Sequence, residues 1–540
     1  MARTVAPVAG PGRPEDREVP AHEPIRAANS PSPRSETLFL AGAGLLVLGT
    51  VASRVPFMTR TLYAFDSANY ALAVRDFYNV AFHQPHPPGY PLYVFFARAI
   101  DLVVNDANRS LILEGIGWSA LAVLCTVLLA RQWFGRTAGL LAGLLLATTV
   151  GFWGYGEVAY PYVALAGETA TLALLAQATL AGQQGRVVWL GLAWAIAAGT
   201  RWDAAVFCLP LWLWALAAVG WQYRAASVAL AGAVVVAWAV PMIQLSGGWD
   251  VYRQALASYL QVWSPQSAYV VGDFASGGDT QATYNLNFLV NYLRQMLGIG
   301  IVMVLYVLGR RFGPARLASD QRSRFLALWT VPPLAVYVFA HLGEAGYVLS
   351  LAPQAAILVA LGLLDLGADM ARASQVLSAR GWRWLPRSGR LGSATSAVLA
   401  LAIVGWNMQA FARGVGPGRL PDLRTHDAMT SAQVEYLRKQ PAAGTFVLAH
   451  DILRQLAFYK PGPPVELLYS EYVPDFQTAR TRTELPPGTQ QVVVLDTPLQ
   501  VEGAEAQQVV LAGGVPVTVI DVGGARAVEH GYRYVRVLAQ

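Results

Sequence analysis

RTLYAFDSANYALAVRDFYNVAFHQPHPPGYPLYVFFARAID, Arg60 to Asp101, is the stretch whose reading decides the fold. It is polar and proline-rich at its centre and lies between an apolar run that begins at Leu38 and another that begins near Arg109. Asp66 opens a segment in which Tyr70, Ala73, Phe77 and Ala81 share one helical face, which predicts an amphipathic helix lying on a membrane surface. Asp66 itself reads either as a helix N-cap or as a functional carboxylate; Asp76 points elsewhere and reads as solvated. HQPHPPGYP, His83 to Pro91, has its chain direction set by prolines and a glycine, and Pro91 suits the first turn of a following helix. That motif is either a rigid connector or a stiff loop presenting His83 and His86 to the space that Asp66 faces.

Working outward, the 540 residues are 55% hydrophobic and only 13% charged, about half the charge of a soluble domain. This excludes an ordinary cytosolic enzyme, a disordered protein and a disulfide scaffold, and leaves a polytopic α-helical membrane protein. A span needs about 20 apolar residues. Candidates are 38–56, 109–130, 137–153, 158–181, 187–200, 204–221, 225–245, 288–308, 325–341, 347–366 and 393–412, about eleven. The stretch 92–104 is short and carries Arg98 and Asp101, so it reads as interfacial.

The positive-inside rule supports that reading. With 92–104 outside the count and the N-terminus cytoplasmic, inside loops collect Arg131, Arg136, Arg186, Arg224, Arg310, Arg311, Arg316, Arg322, Arg324, Arg372, Arg380, Arg383, Arg387 and Arg390. Outside loops collect Arg54, Arg60, Arg75, Arg98, Arg109, Arg201 and Arg253. If 92–104 spanned, every later loop would flip. The net charge of +6 thus describes orientation, and no nucleic-acid partner is expected.

The predicted organisation is a disordered cytoplasmic tail (1–36), a transmembrane domain (37–413) with long outside loops at 57–108 and 246–287, and a small extracytoplasmic α/β domain (414–540). The last alternates strand-like runs (TFVLAH, VELLY, QQVVVLD, VPVTVIDV, YRYVRVL) with helical stretches at 428–439 and 452–459. The first apolar run begins too late for a cleaved signal peptide. Cys125 and Cys208 read as buried apolar residues, and no phosphate-binding glycine loop appears.

Membrane-adjacent charges are the other site candidates. Arg201 is either an interfacial anchor or a cation for a phosphate. Glu157 and Glu168, three helical turns apart, are expected on one face; a carboxylate as deep as Glu168 is costly and faces either a cavity or a neighbouring helix. His341 and Glu344 share one turn. Asp250, Asp273 and Asp279 lack metal-ligand spacing, so neither metal nor cofactor is expected.

An acidic residue early in the first outside loop followed by HPPGYPLY resembles the GT-C superfamily of membrane glycosyltransferases, in its protein O-mannosyltransferase-like branch. FWGYGEVAYPYVAL (152–165), GTRWDAAVFCLPLWLW (199–214) and GYVLSLAP (346–353) are similar to further stretches of that branch, so the resemblance covers about residues 38–366. It implies a lipid-phosphate-linked monosaccharide donor, inversion at the sugar carbon, an outer-face site and a membrane of bacterial cell-envelope type. A sugar phosphate already has a good leaving group, so the need is a base for the acceptor hydroxyl, a role the resemblance gives to Asp66. Many relatives show an acidic pair there; here Ser67 follows Asp66, and its partner stays open. His83, His86, Tyr90, Glu157, Arg201 and Glu344 are the substrate-binding candidates. The acceptor is a protein, lipid or glycan; membrane lipids are the remaining partners. The alternative is a carrier that flips lipid-linked sugars without catalysis, which would favour paired, similar halves; none are visible.

Overall fold

A computed structural model describes residues 33–267, 281–311, 319–380, 388–468, 480–496, 498–531 and 533–539. Its helices are α1 (Pro33–Arg54), α2 (Phe65–Arg75), α3 (Pro91–Val104), α4 (Ala107–Phe134), α5 (Arg136–Thr148), α6 (Val150–Gly154), α7 (Tyr162–Leu180), α8 (Arg186–Thr200) and α9 (Trp202–Ala217). They continue as α10 (Trp221–Leu245), α11 (Trp249–Ser267), α12 (Gln281–Leu297), α13 (Ile301–Arg311), α14 (Gln321–Phe339), α15 (Ala352–Ala379), α16 (Ser388–Arg413), α17 (Leu420–Arg438) and α18 (Leu453–Tyr459).

The expected spans fall mainly on helices, but fewer than eleven of the described helices are long and apolar enough to cross a membrane. Among the described residues seven helices are long and apolar enough to cross a membrane, or eight if one bent pair is a single span; α8 and α9 are shorter apolar helices. The bent pair departs from expectation: 137–153 is not one straight helix but breaks by 66° between α5 and α6. Thr149 explains the break, since it adopts an extended backbone at the junction while its hydroxyl bonds back to Leu145 O at 2.8 Å. The next helix begins after Pro161, later than the expected 158.

The ends of α4 mark the two faces of the bundle. At its start Asn108 Nδ2 donates to Thr59 O at 3.0 Å, beside the first long loop. At its end Arg131 and Arg136 pair with Glu36 at 2.8 and 2.9 Å, and Arg322 donates to Trp133 O. These basic residues therefore gather at the end of the bundle opposite the loop. Arg316, Arg383 and Arg387, with residues 1–32, Asp273 and Asp279, lie outside the described residues.

Helix α3 has 14 residues, about 21 Å, too short for a 30 Å hydrocarbon core. Tyr93, Val94 and Ala97 are buried, whereas Leu102 and Val103 are almost fully exposed. Its two charges tie it down: Arg98 donates to Ala73 O at the end of α2, and Asp101 accepts from Ser110 Oγ in α4.

The C-terminal strand domain is layered. Strands β1 (Thr445–Ala449), β2 (Val465–Leu467), β3 (Arg480–Glu484), β4 (Gln491–Val494), β5 (Gln500–Glu502), β6 (Ala506–Val510), β7 (Pro516–Asp521), β8 (Ala527–Gly531) and β9 (Tyr534–Leu538) form two sheets. One has the order β2-β1-β4-β7-β6, with β1 parallel to β2 and β4 and the rest antiparallel; the other is β3-β8-β9-β5. Register pairs Val447 with both Val465 and Val493. Strand alternation then splits the apolar side chains. Phe446, Leu448, Val492 and Val494 face Val528, Val535 and Val537 of the second sheet. Val447, Val493 and Val517 face Val434 and Leu437 of α17 and Leu456 of α18. The strands that the apolar pattern does not reveal, β3, β5, β6 and β8, are polar or short; RTRTE of β3 buries only Thr483.

Candidate functional site

The first long loop is built from outside itself. Thr59 N donates to Glu157 O, and the next backbone donors, Arg60 N and Thr61 N, go to the Asp427 carboxylate of α17 at 2.9 Å. Helix α2 then starts with Ala64 at its N-cap and no side-chain cap. Asp66 is thus not the cap; it sits in the first helical turn, where the helix dipole favours a negative charge. The expected membrane-surface helix is also corrected: Ser67 through Val74 are all buried, the helix ends at Arg75, and Phe77 and Ala81 lie beyond it. Neighbouring elements bury α2 on every side, so it is a core element that presents Asp66 at one end. Asp76 pairs with Arg75 at 2.8 Å.

The HQPHPPGYP segment is both connector and presenter. Asn79 closes its start, accepting from Ala81 N on its side chain and exchanging backbone bonds with Gln84. Gly89 has φ +122°, and a β-carbon there would lie 2.7 Å from the Tyr78 hydroxyl, which donates to Gly89 O. Only glycine permits both this backbone and this approach. Pro91 then opens α3 as expected.

The result is that His86, buried, turns its Nδ1 to within 3.3 Å of Asp66 Oδ1. Its ring lies among Tyr70, Tyr90 and Tyr259, stacking on the last at 6.0 Å. Burial pushes the His86 imidazole down, against the pull of Asp66 and with the help of Arg201. Burial also lowers His83 to about 4, aided by His86 and Arg454 and opposed by Asp66. Burial thus works against the cationic form of both histidines.

Arg201 is no exposed anchor. It is 3% exposed; Nε donates to Asp203 Oδ2 at 3.1 Å, and Nη2 lies 3.0 Å from the same oxygen in an ion pair. Its guanidinium carbon lies 4.4 Å from the Tyr162 ring centre, 4.8 Å from Tyr347 and 6.0 Å from Tyr90. Tyr90 thus stands between Arg201 and His86. Asp203 was not among the sequence candidates; its signal was the Arg-Trp-Asp spacing at the start of an apolar helix.

Glu344 supplies what the loop sequence lacks. It lies in the turn before the 3-10 helix Ala345–Leu351 and accepts from Tyr160 Oη at 3.4 Å. Burial, then the Asp66 charge, push its carboxyl up to about 7. Glu344 is thus a second carboxylate whose charge acts on that of Asp66, brought from a distant turn. His341 packs on Tyr347.

Glu157 and Glu168 do not share a helical face, because Glu157 belongs to a 3-10 turn (Tyr155–Glu157) and Pro161 separates it from α7. Glu157 is buried, interacts with Arg54 and holds Thr59 through its carbonyl, so it braces the loop from beneath. Glu168 faces Arg201 and Asp203, with neither carboxylate oxygen hydrogen-bonded among the described residues. Arg54, expected in an outside loop, is fully buried and donates to Thr50 O and Ala147 O. Cys125 and Cys208 are buried and unbridged.

Residues 85–244 match the family model described as Dolichyl-phosphate-mannose-protein mannosyltransferase. Among curated proteins there is no significant sequence match. The fold is similar to the crystal structure of ArnT from Cupriavidus metallidurans bound to undecaprenyl phosphate. That likeness has 14% identity and a TM-score of 0.54, over 91% of this chain and 98% of that one. The apo form of the same protein matches over 90% of this chain and 97% of its own, with 14% identity and a TM-score of 0.50. Over residues 85–244 the chain is thus similar to the dolichyl-phosphate-mannose-protein mannosyltransferase family, and over most of its length it shares the fold of ArnT.

Proposed function

We propose that the chain moves a monosaccharide from a polyprenyl-phosphate donor to an acceptor hydroxyl on the outer face of the membrane, with inversion. The observation that carries this reading is the 3.3 Å approach of His86 to Asp66, with Glu344 in charge interaction with Asp66 and the buried cation Arg201 near Tyr90, which packs against His86. The acceptor oxygen attacks the anomeric carbon as the bond from that carbon to the phosphate oxygen breaks. Asp66 takes the hydroxyl proton, and the lipid phosphate leaves with the bonding pair. Asp203 holds the guanidinium of Arg201 through its Nε–H and an ion pair with Nη2, and the remaining N–H groups are offered to the departing phosphate. Glu344, part-protonated at neutral pH, offers a hydrogen-bond donor. Support for a lipid-phosphate donor comes from the fold shared with ArnT, whose crystal structure holds undecaprenyl phosphate.

The orientation follows the positive-inside reading: cytoplasmic N-terminus, and the 414–540 domain outside with the first loop. The test is transfer from labelled polyprenyl-phosphate sugars by purified protein. Asp66→Asn is expected to lower kcat by about 10²–10⁴-fold; a folded variant with full transfer overturns the base assignment. Movement of the lipid-linked sugar into sealed vesicles with no covalent product would establish a carrier instead. A reporter after residue 540 found in the cytoplasm would overturn the orientation.

A further inference from the structure

The segment that carries Asp66 has little regular backbone pairing of its own before α2 and after it, and buried N–H and C=O groups need partners. Many come from the C-terminal domain. Asp427 takes Arg60 N, Thr61 N and Thr61 Oγ1; Tyr459 Oη accepts from Leu62 N at 2.9 Å. At the end of α2, Arg75 donates to Phe458 O and lies over the Phe458 ring.

One residue of α18 reaches further. Arg454 Nε donates to Asn69 Oδ1, and its Nη2 donates to Phe82 O at 2.9 Å and His83 O at 2.8 Å. Asn69, buried in α2, donates its Nδ2 to Asp66 Oδ1 at 3.3 Å. An amide has one oxygen and one nitrogen end, so a guanidinium held on the oxygen fixes the nitrogen toward Asp66. The same guanidinium anchors the chain three residues before His86. Asp66 and His86 are thus oriented by a single side chain from beyond the transmembrane domain.

We propose that Arg454 is a positioning residue, so that the C-terminal domain is part of the active-site geometry and not an appended acceptor-gripping module. Through Asn69 it sets the direction of the Asp66 carboxylate, and through the Phe82 and His83 carbonyls it sets the loop that presents His86. The role assigned to Asp66 rests on the function proposed above; the brace itself does not.

The full-length protein tests this with Arg454→Gln, Asn69→Ala and the double variant. Arg454→Gln should lower kcat by about 10–100-fold, the scale of a small misplacement of reacting groups, with the donor KM within about threefold. Because both residues act through one hydrogen-bonded chain, the double variant should lose no more than the worse single one. Amide hydrogen exchange should quicken over residues 79–86 in Arg454→Gln and stay unchanged over α4. An unchanged kcat, or losses that multiply, overturns the positioning role. Should Arg454→Gln fail to fold, Asn69→Ala, which leaves the interdomain contacts of Asp427 and Tyr459 in place, carries the kcat test. If Asp66→Asn retains transfer, the base assignment falls, while exchange over 79–86 still decides whether Arg454 holds the loop.

Discussion

His86 Nδ1 stands 3.3 Å from Asp66 Oδ1, joined by a segment that contains a buried helix, a 3-10 turn and Pro85. Two polar groups on a stiff loop can hold that spacing without substrate, and this preorganisation is what acid–base work needs.

His86→Phe keeps a ring against Tyr70, Tyr90 and Tyr259 and removes only the nitrogens. It should lower kcat by about 10–100-fold and leave the unfolding temperature near that of the parent. Single-turnover transfer and a thermal unfolding scan read the two quantities; a normal rate would remove His86 from the chemistry.

Arg201 and Asp203 are 3% and 8% exposed in their side chains. Asp203→Asn keeps the shape and removes the countercharge, leaving a buried guanidinium uncompensated. The expected cost is about 3–5 kcal/mol, measured as lowered resistance to denaturant in detergent. Loss of a few tenths only would mean that water reaches Arg201 freely.

Glu344 gives a pH signature with a definite sign. Its carboxyl is held near 7 in the fold, against an ordinary value of 4.5. Between those values the folded protein keeps a proton that the unfolded chain has lost. The contribution of Glu344 is therefore complete below pH 4.5 and lost as pH rises through about 7. Wild-type stability should fall relative to Glu344→Gln between pH 5 and 8, and parallel unfolding profiles would refute the shift.

Gly89→Ala places a β-carbon 2.7 Å from Tyr78 Oη and 2.9 Å from Met242 Sδ, at φ +122°. Strain of this kind costs about 1–3 kcal/mol, and the loop should shift His86 with it. Expected together are a lower unfolding temperature and a lower kcat; a neutral effect would show that the loop tolerates another path.

Part of the candidate site's geometry was legible in sequence because its signals are local. HPPGYP constrains its own backbone, so His86 and Pro91 do what their spacing suggests. Other expectations failed where packing outweighed pattern. The apolar face at Tyr70 and Ala73 predicted a membrane-surface helix, yet neighbours bury α2 on all sides. Glu157 and Glu168 matched a helical period that Pro161 interrupts. The polar strand β3 carries no apolar alternation to read.

The sequence by itself determined the membrane class, the helical segments, the two-part organisation and Asp66 as a candidate, because hydrophobicity and proline act on the residues that carry them. Tertiary structure alone decided that the Glu344 charge acts on Asp66, that Asp203 neutralises Arg201, and that Arg454 reaches Asn69. Those pairings join residues from separate elements, or hold two neighbours in a dry pocket built by others. Their energy depends on burial and direction, which exist only once the chain has packed.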